Sequence, residues 1–151
     1  MPLEKVKHIV TSIRNGDIKP IYFLTGEEPY YIDSIEKYIE ENVLSEEEKG
    51  FNQTIFYGRD VSIEDISSTA KRFPMMADRQ VVIVKEAQDL SRTIENLISY
   101  AENPQRSTVL VICYKYKKLD KRTGIYKALN SSPGVELFIS EKLVIISKIN
   151  E

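Results

Sequence analysis

Two stretches of this 151-residue chain carry residue types that serve phosphate and metal chemistry when a fold gathers them. The first is the turn Leu24-Thr25-Gly26-Glu27-Glu28-Pro29-Tyr30, which links an apolar run to a helix start. In a parallel α/β domain that turn is where phosphate binds, because a helix N-terminus offers free amides and a positive dipole end. A phosphate loop needs glycines for close backbone approach and a lysine to neutralise the phosphates. This turn has one glycine, no lysine and two adjacent carboxylates, and Pro29 removes an amide donor. The second stretch closes the third buried run, where Val81-Val82-Ile83-Val84 leads into Lys85-Glu86-Ala87. An ATPase ends that strand in a metal-binding aspartate, often followed by a catalytic glutamate. Lys85 stands where the Mg²⁺ ligand belongs. Both halves of the site are therefore missing together. The pattern fits a nucleotide-binding fold that has lost nucleotide, and equally an unrelated α/β domain that never had it.

Other constellations are less specific. Lys115, Lys117, Lys118, Lys121, Arg122 and Lys127, interleaved with Tyr114, Tyr116 and Tyr126, combine charge and aromatic rings as nucleic-acid grooves do. The same residues also make an ordinary solvated loop and helix face. Glu27, Glu28, Asp33, Glu36, Glu40, Glu41 and Glu46 to Glu48 form an acid-rich segment, expected as a solvated face. Phe73-Pro74-Met75-Met76 falls between a helix end and a strand start. Methionine is adaptable and frequent on protein-binding surfaces, although both side chains can also pack under a sheet edge. Cys113 closes an apolar strand as a small hydrophobe, and His8 sits in the first helix without a partner. No Ser/His/Asp or Cys/His set assembles, so no catalytic residue is assigned. One Cys and one His exclude a disulfide framework, a multi-cysteine zinc site and a histidine-rich metal cluster.

The elements that must position these residues follow from periodicity and punctuation. Val6, Ile9, Val10 and Ile13 mark an amphipathic helix over Leu3 to Arg14, closed by Asn15-Gly16. Ile21 to Leu24 reads as a strand covered on both faces. A helix begins near Pro29, with proline at a tolerated first-turn position. Gln53 to Tyr57 is a second strand. Ser62-Ile63-Glu64-Asp65 resembles a capping box opening a helix to about Arg72, stopped by Pro74. Gln80 to Val84 and Thr108 to Cys113 are further buried strands, and Val135 to Ile139 the last. A helix over Ser91 to Tyr100 is broken by Asn103-Pro104. Thr123 to Leu129 is a short helix. Apolar strands alternating with helices predict an α/β fold: a parallel sheet of about five strands with helices on both faces.

Composition supports one soluble domain with a core of its own: 42% hydrophobic, 29% charged, net charge −2. The balance does not suggest a nucleic-acid coat or a membrane-surface protein. No apolar run reaches the roughly 18 residues that span a bilayer, and the start MPLEKVKHIV lacks a signal-peptide core. A cytoplasmic protein without membrane partners is expected. The segment 141–151, EKLVIISKINE, reads as an edge strand or the truncated start of a further element.

In order and spacing, the chain resembles the N-terminal domain of the bacterial DNA polymerase III delta subunit, the clamp-opening subunit of the clamp loader. The resemblance rests on Ile21 to Tyr30, Phe51-Asn52 with Tyr57-Gly58, Phe73 to Lys85, Tyr100 with Asn103-Pro104, Thr108 to Val111, and Lys118 to Arg122. It implies an AAA+ core over 1–140 with a degenerate nucleotide site at Thr25, Gly26, Glu27, Glu28, Lys85 and Glu86, and no cofactor. It implies binding to the sliding clamp through Phe73, Pro74, Met75 and Met76, the last two acting as a wedge. It also implies other loader subunits as partners of the full-length protein, primed DNA as an indirect one, and lid and collar domains beyond this chain. The family belongs to a polymerase holoenzyme, but these residues hold no polymerase chemistry. A P-loop-type ATPase with an unusual site, a receiver-like signalling domain and a nucleic-acid module through Lys115 to Arg122 remain the competing readings.

Overall fold

The computed structural model describes residues 2–141. The expectation of an edge strand or truncated element falls on 141–151, almost wholly outside them. Helix α1 (Pro2–Arg14) precedes strand β1 (Ile21–Gly26), and helices α2 (Pro29–Asn42) and α3 (Glu46–Asn52) lead to β2 (Gln53–Tyr57). Then follow α4 (Ile63–Ala70), β3 (Gln80–Lys85), α5 (Ile98–Glu102), β4 (Thr108–Lys115), α6 (Gly124–Ser131) and β5 (Val135–Ser140). The sheet order is β2-β3-β4-β1-β5, and every neighbouring pair is parallel.

The expected fold class is the observed one, and the reason is visible strand by strand. Successive side chains of a strand point to opposite faces. Ile21, Phe23, Val82, Val84, Leu110 and Ile112 enter one apolar cluster with α4, α5 and α6. Their neighbours Tyr22, Leu24, Val81, Ile83, Val109 and Val111 enter the other, under α1 and α2. Both faces are thus covered, which is why the central strands read as unbroken apolar runs.

Local signals set the helix starts. Ser62 and Asp65 form the expected capping box of α4, and Ser45 and Glu48 form a second one at α3. The helix α3 itself was not expected, because three glutamates and a glycine hide any apolar stripe. The helix expected over Ser91 to Tyr100 is instead one 3₁₀ turn, Ile94–Leu97, and the start of α5, with a second 3₁₀ turn, Ala87–Leu90, just before it. Leu90, Ile94 and Leu97 are all buried in the same cluster, so packing decides the backbone and weak intrinsic propensity does not.

Candidate functional site

The turn after β1 is closed by its own hydrogen bonds. Gly26 N–H donates to Lys117 O at 3.0 Å, and Glu27 and Glu28 N–H donate to Ser140 O at 2.9 and 3.5 Å. Residue 29 is proline. Tyr30 N–H donates to the Glu28 carboxylate at 3.1 Å, so Glu28 caps α2. Thr25 Oγ1 donates to Lys117 O at 2.9 Å, and Ser140 Oγ to Glu28 O at 2.7 Å. No backbone amide from residue 26 to 30 is left to hold a phosphate. A carboxylate of the chain itself occupies the helix N-terminus where an anion binds.

Behind this turn the charges are inverted relative to a nucleotide site. Asp33, Glu36 and Glu40 lie on one face of α2 by their spacing. Lys85, at the end of β3, has Nζ 3.7 Å from both Glu36 Oε1 and Glu40 Oε2. Lys115, at the end of β4, pairs with Asp33 at 2.6 Å and Glu86 at 3.4 Å. Burial opposes the positive charge on both lysines. The facing carboxylates outweigh it and hold both above the ordinary lysine value. Glu36 is 7% exposed, so the expectation of a wholly solvated acidic face fails at this residue. Burial, then the neighbouring Glu40, push the Glu36 carboxyl up to about 7 against the pull of Lys85. Asp33, Glu36, Glu40 and Lys85 line a cleft of about 520 Å³ with Lys37, Glu41, Lys49 and Gln53.

The lysine and tyrosine segment does not form a basic stripe. Lys115 is largely buried in its ion pairs. Lys118 lies 3.6 Å from Glu27 and 3.2 Å from Glu141, and Arg122 pairs with Asp120 through two nitrogens. Lys117, Lys121 and Lys127 are exposed and, among the described residues, lack an ion pair. Tyr114 is buried against Phe23, with ring centroids 5.8 Å apart. Only Tyr116 of the three tyrosines is well exposed. Cys113 is fully buried, which pushes its thiol pKa up, and His8 is exposed on α1. Among the described residues no three acidic, cysteine or histidine side chains gather as metal ligands, and no helix is long and apolar enough to cross a membrane.

The Phe73–Met76 loop is the opposite of the closed turn. Phe73 is 79% exposed, Met75 61% and Met76 100%. Both methionines therefore face solvent and neither packs under the sheet edge. The backbone beneath them is held firmly. Asn52, buried at the end of α3, accepts from Met75 N–H at 2.7 Å and donates to Met75 O at 2.9 Å. Gln80, at the start of β3, sets the base. Its Nε2 is within hydrogen-bond distance of the carbonyls of Thr69, Ala70 and Arg72 and of Thr108 Oγ1. Met76 has φ 56°, a left-handed conformation that a bulky side chain rarely adopts. Two buried amides thus display an apolar tip on a short, strained loop. The sequence reading missed these supports. Gln80, a polar start to an apolar strand, was the one local signal; Asn52 stood out only as part of the family resemblance.

Inserting β4 between β1 and β3 in an all-parallel sheet, with a phosphate-type turn after β1, defines an AAA+-type core of the P-loop class. The fold is shared with a DNA polymerase III gamma subunit-related protein of Thermotoga maritima (TM-score 0.59, 17% identity, 99% of this chain and 49% of that one) and with RuvB of the same organism (TM-score 0.53, 17% identity, 92% and 44%). The model of the family "DNA polymerase III, delta subunit" matches residues 22–138, and the chain belongs to that family. The DNA polymerase III subunit delta of Bacillus subtilis (strain 168) is 31% identical over 78% of this chain and 37% of its own length. The solved Bacillus subtilis DNA clamp loader delta protein (YqeN) superposes with TM-score 0.77 and 26% identity over 91% of this chain and 43% of that one. The chain thus spans well under half the length of these relatives.

Proposed function

We propose that this chain is the clamp-binding domain of a clamp-loader delta subunit. It docks the Phe73–Met76 tip into an apolar pocket of the sliding clamp and helps to open it, without hydrolysing ATP itself. One observation carries the reading: an apolar tip, exposed yet pinned from below by Asn52 and Gln80. Preforming the loop removes ordering cost from binding. The tip can favour an opened clamp only by binding that form more tightly than the closed one. Loss of clamp affinity when Met75 and Met76 are both replaced by alanine, with unchanged thermal unfolding, is the test.

The closed turn supports the non-catalytic half of the reading. Calorimetric titration with Mg²⁺-ATP is expected to give no saturable heat, because the amides of residues 26–30 are committed and Glu28 fills the anion position. Tight ATP binding would restore the ATPase alternative. Lys85, at the end of a strand where a phosphorylatable aspartate would be needed, likewise speaks against a receiver domain. DNA contact by the segment Lys115 to Lys127, of which Lys117, Lys121 and Lys127 are free of ion pairs among the described residues, is expected to be weak. Tight DNA binding with a steep salt slope would overturn the assignment of DNA as an indirect partner. Lid and collar domains, contacts to other loader subunits and a cytoplasmic location belong to the same proposal.

A further inference from the structure

Among the described residues, the three most exposed large apolar side chains are Met76 at 100%, Phe51 at 79% and Phe73 at 79%. Two belong to the tip. The third, Phe51, comes from α3, a different element. Phe51 immediately precedes Asn52, the residue whose side chain holds Met75 through both its N–H and its carbonyl. One Cα step separates Phe51 from Asn52, about 3.8 Å, and the Asn52 side chain reaches Met75 directly. The Asn52 hydrogen bonds thus hold the Phe51 backbone close to that of Met75, with the Phe51 ring turned out to solvent. The chain before it is open, since a Cβ placed on Gly50 would meet nothing within 4 Å. Single exposed apolar residues are ordinary on a protein surface. The most exposed ones, linked through the backbone by one buried amide, have the composition of an interface centre.

We infer that Phe51 is a further anchor of the clamp-binding surface, placed beside the Met75–Met76 tip by Asn52. This rests on the clamp-binding reading and extends it from one loop to two elements. The occupant is the clamp because the Asn52 hydrogen bonds tie the exposed Phe51 to the loop that carries the tip. Asn52 is a positioning residue in this arrangement, and Phe51 is a contact residue.

The test compares the whole 151-residue chain with three variants: Phe51→Ala, Phe51→Leu and Met75→Ala/Met76→Ala. Clamp affinity is measured by surface plasmon resonance, and thermal unfolding is followed on each variant. Phe51→Ala is expected to weaken clamp binding about tenfold, mostly through faster dissociation, as removal of a buried anchor does. Phe51→Leu is expected to recover most of the loss, and unfolding is expected not to move. If Phe51→Ala binds like the parent while the methionine double variant is impaired, the inference falls and the clamp-binding reading stands. If neither variant is impaired, the clamp-binding reading falls as well.

Discussion

Replacing Met75 and Met76 together by alanine is expected to weaken sliding-clamp binding by about two to four orders of magnitude, as each buried methionine contributes about 1.5–3 kcal/mol. Nearly all of that term is available, because Met76 is fully exposed and Met75 mostly so in the unbound chain. Folding stability should stay within about 0.5 kcal/mol, the usual range for surface substitutions. Alanine is the right replacement at 76. With φ 56°, any residue bearing a Cβ meets the same backbone strain, so the change isolates the side chain. Glycine would relax the backbone and confound the measurement. Affinity measured beside thermal melts settles the matter, and unchanged affinity would sink the proposed function.

Glu36→Gln is expected to make the chain more stable at pH 8 and to flatten its stability between pH 4.5 and 7. Glu36 is nearly buried, and its carboxyl rises from 4.5 to about 7. Between those values the folded state binds more protons than the unfolded one. Stability therefore falls as pH rises through the window, and the cost is complete above it. The groups facing Glu36 are Asp33 and Glu40 on its own helix and Lys85 on β3, with the buried Cys113 and the ion-paired Lys115 on β4. Glutamine removes the cost of a buried carboxylate but also its attraction to Lys85. A net gain of about 1–3 kcal/mol at pH 8 follows from 1.36 kcal/mol per pKa unit, less that lost attraction. Below pH 4.5 the variant and the parent should converge. Denaturant titrations at pH 4.5, 6 and 8 check this, and parallel stability curves for the two proteins would refute it.

The closed turn and the inverted charges are two sides of one arrangement. A nucleotide site presents free amides and a lysine to phosphate, with acidic metal ligands opposite. In this chain the helix carries the acids Asp33, Glu36 and Glu40, and the strand ends carry Lys85 and Lys115. Each of these charged groups has its counter-charge within the chain. Lys85 and Lys115 are thus explained as structural counter-ions. This is why Lys115 does not serve as part of a basic patch.

The residues themselves determined the fold class and the make-up of the first turn. Apolar runs such as Val81–Val84 require cover on both faces, and a turn with Glu27, Glu28 and Pro29 lacks the lysine and glycines of a phosphate loop. Both are properties of composition over a few adjacent residues. The tertiary structure alone decided what depends on residues far apart in the chain. Glu36 looked solvated until β3 and β4 closed against α2, because burial is set by neighbours that sequence spacing does not reveal. The exposure of Met75 and Met76 was open in the same way. It was settled by Asn52, which holds Met75 from 23 residues away, and by Gln80, which holds the Arg72 carbonyl at the base of the loop from the start of the next strand. Hydrogen bonds over such separations carry no local pattern, so only the folded chain displays which loop is pinned outward and which turn is sealed.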